Sequence, residues 1–314
     1  MKELNTKANF NLPDRSSDDD FHKVLHSHKS FVHLKKKKSA AENQSTKSHI
    51  YWGAQHFNLH HSKLFSSMST LQKENILASC SSNLLNEAYF IEKAGIKFSA
   101  KMIVNSEFTE DAQFYSLMAS DEACHLEILK NRISKNINYL NQSPFLLLLH
   151  QIIEELEPQK LLYLVQIILE GWGLNHYLQL SKGCQDKELK EDFQKILKDE
   201  AIHTISGKSL LRPASFSLKH KADLIDKLSA YASMVRVGEL SLLNTIHREF
   251  GELKGKAKIE ILEEIDNQNT TKTKLRLLMN LANQPGMEEI VQAVFDKNLF
   301  EPCSNQETAK LLDR

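Results

Sequence analysis

Two short segments of this chain repeat each other together with their surroundings, and that repeat limits the folds open to it. Residues 121–125 read Asp-Glu-Ala-Cys-His and residues 199–203 read Asp-Glu-Ala-Ile-His. A single Glu-Xaa-Xaa-His carries little weight, since about one match is expected by chance in a chain of this composition. Here each copy also has a glutamate 30 positions before its motif glutamate, Glu92 before Glu122 and Glu170 before Glu200. Aligned in this way, Gly95 matches Gly173 and Tyr115 matches Phe193. The chain therefore contains a duplicated structural unit.

Hydrophobic periodicity makes that unit a pair of helices. Ser69 and Gln72 form a candidate capping box ahead of a periodic stretch that runs to about residue 104. After a break at Asn105, Ser106 and Glu107, Thr109 stands as the N-cap of a second helix to about residue 140. Ser143 and Pro144 supply an N-cap and a first-turn proline for a short apolar crossover helix over 145–156. Pro158 opens a third long helix to about residue 180, Gly183 and Asp186 mark a turn, and a fourth helix reaches residue 211. Residues 219–250 and two or three shorter segments up to residue 298 are also helical by period, and strand-like alternation is hard to find. The expected fold class is all-α. The domain reading is a polar, mobile tail over 1–45, a four-helix bundle over 46–213, and additional helices packed on it over 214–314.

The turn of each hairpin falls midway between the upstream and the motif glutamate, so the two carboxylates lie level. Residues three apart on a helix differ by about 60° around its axis, so each motif projects a carboxylate and an imidazole together. Two hairpins then offer four carboxylates and two imidazoles, the set that dinuclear carboxylate bundles use. The candidate metal ligands are Glu92, Glu122, His125, Glu170, Glu200 and His203. Neighbours on the same faces, Leu85, Ala88, Met118, Ile167, Ile196 and Leu197, are core-forming residues, which sets these six apart from ordinary solvated surface. Asp121 and Asp199 precede the motif glutamates, where a carboxylate can accept the second ring N–H of a ligating histidine. Gly95 and Gly173, one turn from the proposed ligands, point to room for substrate, for oxygen or for close helix contact, with packing alone as the alternative. Tyr115, Met118, Phe193 and Ile196 are expected to line a pocket on the loop side of the cluster. Tyr89, Tyr163 and Tyr177 are read as core residues, and His176 and Glu87 lie off the ligand faces.

Composition narrows the function mainly by exclusion. Lysine plus arginine and aspartate plus glutamate both number 40, so bulk charge gives no reason to expect nucleic acid or an anionic membrane as partner. The four cysteines are scattered without a Cys-Xaa-Xaa-Cys, against both a disulfide framework and a thiolate zinc site. No run approaches the 18 or so apolar residues of a membrane span, and the N-terminus lacks a signal-peptide core. A cytoplasmic protein is expected. His22, His26, His28, His33, His56, His60 and His61 have no fixed spacing on a helix and are left out of the site.

Over about residues 70–211 the chain resembles the ferritin-like di-iron carboxylate superfamily. That resemblance implies two iron ions, with manganese and iron together as a variant. Glu92, Glu122 and His125 would serve mainly one ion, Glu170, Glu200 and His203 mainly the other, and Glu122 and Glu200 would bridge. It also implies an oxidase or monooxygenase that uses dioxygen on a small organic or acyl substrate, with electrons from a donor protein or small reductant. A homodimer is compatible with it. An iron-binding ferroxidase, or a manganese/iron relative with a radical or redox role, is the alternative. Departures from the family pattern narrow the choice. Leu129 stands where tyrosyl-radical reductase subunits carry tyrosine, and Ile196 stands where arylamine N-oxygenases add a histidine ligand.

Overall fold

The computed structural model describes residues 49–133, 143–212 and 216–312. The expected tail over 1–45 lies outside them, as do residues 134–140 of the second helix as expected from the sequence. Among the described residues there is no strand, only an isolated bridge between Trp52 and Cys184. The helices are α1 (Lys63–Ser67), α2 (Thr70–Val104), α3 (Thr109–Lys130), α4 (Pro144–Glu155), α5 (Pro158–Leu161), α6 (Glu170–Gly183) and α7 (Lys187–Leu210). They are followed by α8 (Leu218–Val235), α9 (Leu240–Phe250), α10 (Gly255–Glu264), α11 (Asn267–Ala282), α12 (Glu288–Asp296) and α13 (Asn305–Leu311). The fold is all-α, with α2–α3 and α6–α7 as helix pairs of four-helix-bundle type and extra helices toward the C-terminus. The chain divides into two compact units, one holding Leu85–Glu154 and the other Ser48–Leu84 with Glu155–Arg314.

The first unit contains most of α2, then α3 and α4. Rings of Phe98 and Tyr115 meet edge to face at 6.1 Å, joining α2 to α3 near their connection. Lys101 of α2 donates to the carbonyls of Ile153 and Glu154 at 2.7 and 3.0 Å, where the orphan carbonyls at the end of α4 favour a cation. Buried Tyr89, Phe98, Met118, Leu129, Leu149 and Ile152 fill the unit, each fully buried side chain contributing roughly 1.5–3 kcal/mol relative to exposure.

In the second unit, Tyr177 stacks on Phe193 at 5.7 Å and Ser181 donates to the Lys190 carbonyl at 3.4 Å, which pairs α6 with α7. Asp186 caps α7 by accepting from the Leu189 N–H at 2.8 Å. The Trp52 indole donates to the Leu180 carbonyl at 2.9 Å and its ring lies 6.0 Å from Phe193, so the segment before α1 braces this hairpin. Tyr163 donates to the Ala282 carbonyl at 2.8 Å, and Trp172 meets Tyr231 edge to face, so α8 and α11 pack against the third long helix. A further apolar cluster joins Leu59, Phe65, Ile76 and Cys80 to Leu243, Ile246, Leu262 and Ile265.

One local reading holds and several change. The Ser69–Gln72 capping box forms, with the Ser69 N–H donating to Gln72 Oε1 and the Gln72 N–H to Ser69 Oγ. The second helix instead has Phe108 at its N-cap, without a side-chain bond, and Thr109 is its first helical residue. It ends at Lys130, where Asn131 Nδ2 turns back to the Glu127 carbonyl at 2.8 Å. Residues 219–250 break into α8 and α9 at Gly238, whose φ of 69° suits glycine. The third helix is not uniformly α-helical, since Leu162–Leu169 between α5 and α6 is π-helical.

Candidate metal centre

Each hairpin gathers its own cluster of glutamate and histidine. In the first, Glu92 of α2 and Glu122 and His125 of α3 are all buried, with one donor atom from each lying within 4.8 Å of the others. His125 Nδ1 stands 3.1 Å from Glu92 Oε2 and 3.7 Å from Glu122 Oε2. The antiparallel pairing explains why. Going toward the α2–α3 connection, Glu92 faces His125, Gly95 faces Glu122 and Phe98 faces Tyr115.

Gly95 has a definite task in this arrangement. A Cβ there would stand 2.8 Å from Glu122 Cδ and 2.9 Å from its Oε2, so the carboxylate lies directly on the glycine backbone. No other residue would let Glu122 occupy that position.

In the second hairpin, donor atoms of Glu170 on α6 and of Glu200 and His203 on α7 again lie within 4.8 Å of one another. His203 Nδ1 is 3.8 Å from Glu200 Oε2. Glu200 and His203 are buried, whereas Glu170 is half-buried. Donors sharing one ion at about 2.0–2.2 Å stand at most about 4.4 Å apart, so both clusters are within a few tenths of an ångström of closing on a cation. Two carboxylates and one imidazole per cluster form a donor set for a first-row divalent metal, the carboxylates supplying charge and the imidazole a borderline nitrogen ligand. The residues present fit such ions.

The second cluster rests on a residue that periodicity did not single out. Gln166, fully buried in the π-helical stretch, donates through Nε2 to the His203 carbonyl at 3.1 Å and to Ser206 Oγ at 3.2 Å. Ser206 Oγ also donates to the His203 carbonyl at 2.8 Å. A Cβ on Gly207 would meet Gln166 Cγ at 2.9 Å, so this glycine admits the amide. The available signal was Gln166 itself, a lone polar side chain in the run Leu162–Leu169, four residues before Glu170. Short π-helical segments inside α-helices concentrate at functional sites, and this one leads directly into a candidate ligand.

Tyr115, Met118, Phe193 and Ile196, the expected pocket residues, are all buried, as are Tyr89, Tyr163 and Tyr177. Asp121 and Asp199 are half-buried on α3 and α7. The four cysteines are free thiols, and no helix among the described residues is long and apolar enough to cross a membrane. The all-α fold with two glutamate and histidine clusters is consistent with a ferritin-like dinuclear metal site. Comparison with protein-family models, with curated proteins and with solved structures gives no match, so the assignment rests on these residues alone.

Proposed function

We propose that the two clusters hold two iron ions as one dinuclear centre, and that the chain is an oxygen-dependent oxidase or monooxygenase acting on a small organic or acyl substrate. The observation that carries this reading is the duplicated cluster, an upstream glutamate and a Glu-Xaa-Xaa-His with donors within 4.8 Å of one another in each hairpin. Bound iron supplies the one-electron chemistry toward dioxygen that amino-acid side chains lack.

The chain's own residues set the conditions for that chemistry. Glu92, Glu122 and His125 would hold one ion and Glu170, Glu200 and His203 the other. Four carboxylates balance the charge of two divalent cations, which offsets the cost of burying them. Half-buried Asp121 and Asp199 would accept the second ring N–H of the ligating histidines and so hold the imidazoles in one tautomer. Buried Tyr115, Met118, Phe193 and Ile196 would keep water away from the site. Electrons come from a donor protein or small reductant.

Anaerobic titration of the metal-free full chain with Fe(II), followed by admission of air, tests the reading. Uptake should stop at two irons per chain, and dioxygen consumption should continue past those two only when reductant is supplied. Uptake of many irons would replace the proposal with iron storage. Retention of iron by a Glu122→Ala, Glu200→Ala double variant would sink it.

A further inference from the structure

The two halves of the repeat are not equally closed. In the first, Glu92 and Gly95 are both buried, and the Glu122 carboxylate fills the space that a side chain at Gly95 would need. In the second, Glu170 and Gly173 hold the equivalent positions on α6, but both are half-buried. A Cβ on Gly173 would meet no heavy atom within 4 Å beyond its chain neighbours and the adjoining backbone of its own helix. Glu200 therefore does not lean on Gly173 as Glu122 leans on Gly95. Nearby helical glycines differ too, since a Cβ on Gly171 would meet Leu281 at 2.6 Å and one on Gly207 would meet Gln166 at 2.9 Å. Those are packing glycines. Glycine inside a helix is unfavourable relative to alanine, and at Gly173 no neighbour requires it.

We infer that Gly173 is the access position of the centre: dioxygen and the reacting end of the substrate approach the ion held by Glu170, Glu200 and His203 along α6 at Gly173. The ion held by Glu92, Glu122 and His125 is closed on its equivalent side. This rests on the dinuclear reading above. It makes residue 173 a determinant of which ligands reach the metal, while residue 95 governs whether the first ion is held at all. Two glycines at matching positions thus do different work, one admitting a carboxylate of the protein and the other admitting a ligand from outside.

The test uses the full chain loaded with iron(III) and azide as a small external ligand, followed by its visible charge-transfer absorption. Gly173→Leu should keep two irons per chain and raise the azide dissociation constant about tenfold or more. Gly173→Ala, whose methyl has room to fold, should keep both irons and give a smaller rise. Gly95→Ala should lose iron. Azide binding as tight as in the wild type in a folded Gly173→Leu variant carrying two irons would overturn the inference. If the leucine variant does not fold, the alanine variant decides, and unchanged azide affinity there overturns it. A wild-type chain that binds fewer than two irons fails before azide is added, which separates failure of the dinuclear reading from failure of this one.

Discussion

His125 Nδ1 lies closer to Glu92, on the facing helix, than to Glu122 in its own motif, 3.1 Å against 3.7 Å. The ring thus ties α2 to α3 before any metal arrives. Metal should then stabilise the fold by mass action, each site contributing about 2.7 kcal/mol at a hundredfold excess over its Kd. For a chain of this size that is a rise in Tm of about 4 °C per site. His125→Ala should lower the Tm of the metal-free protein and remove about half of the metal-induced rise, read by calorimetry with and without Fe(II) under nitrogen. A full rise in the variant would mean that His125 holds no metal.

Gln166 reaches the second cluster through the backbone of His203, not through a ligand atom. Gln166→Met keeps the volume, and the His203 carbonyl keeps its bond from Ser206 Oγ, so the fold should lose only about 0.5–1.5 kcal/mol per hydrogen bond removed. Loss of the Gln166 amide should loosen the turn that carries His203. Removing a group that orients a ligand typically costs about 10–100-fold in metal affinity. Isothermal titration should therefore show one weakened site and one unchanged site. Equal weakening of both would assign Gln166 a general packing role.

The sequence showed the parts that depend on periodicity and repetition. The hairpins, the capping box at Ser69 and Gln72, and the gathering of the six glutamates and histidines into clusters all come from spacing, because helical period and the matched 30-residue offsets are local, countable quantities. The π-helical stretch was hidden because Leu162–Leu169 is apolar on every side except Gln166, so no face marks its register. A π turn bonds residues five apart and rotates the helix beyond it, which a fixed helical period cannot anticipate. The end of α3 at Lys130 was also missed, since a terminating side-chain bond from Asn131 leaves no trace in the apolar pattern. The difference between Gly95 and Gly173 depends on where Glu122 and Glu200 lie, and both read simply as glycine three residues after glutamate.

That difference gives a stability prediction independent of metal. At Gly173 an alanine gains helix propensity with nothing to displace, so Gly173→Ala should stabilise the metal-free chain by about 0.4–1 kcal/mol. The corresponding shift in Tm is about +0.6 to +1.5 °C. Gly95→Ala must push the Glu122 carboxylate aside and should lower the Tm instead. Parallel thermal melts of the two metal-free variants check this, and shifts of the same sign would contradict the asymmetry.

His56 supplies a pH dependence away from the metal clusters. Its ring sits against the backbone at Gly183, where a Cβ would stand 2.2 Å from Nδ1, and between Trp52 and Phe57. Burial lowers its pKa to about 4, Glu239 opposing the shift and Lys274 adding to it. The unfolded chain takes up a proton at this residue near pH 6.5, whereas the folded chain refuses it until about pH 4. The stabilisation is therefore complete above about pH 6.5 and is lost as the pH falls from there toward 4. Glu239, held below the usual carboxylate range chiefly by Lys274, adds a separate loss at lower pH. His56→Gln removes only the first component. Urea melts of wild type and variant at pH 7.5, 6, 5 and 4.5, roughly spanning that window, should give a steeper fall for the wild type, and parallel slopes would show that His56 is protonated as readily in the folded chain as in the unfolded one.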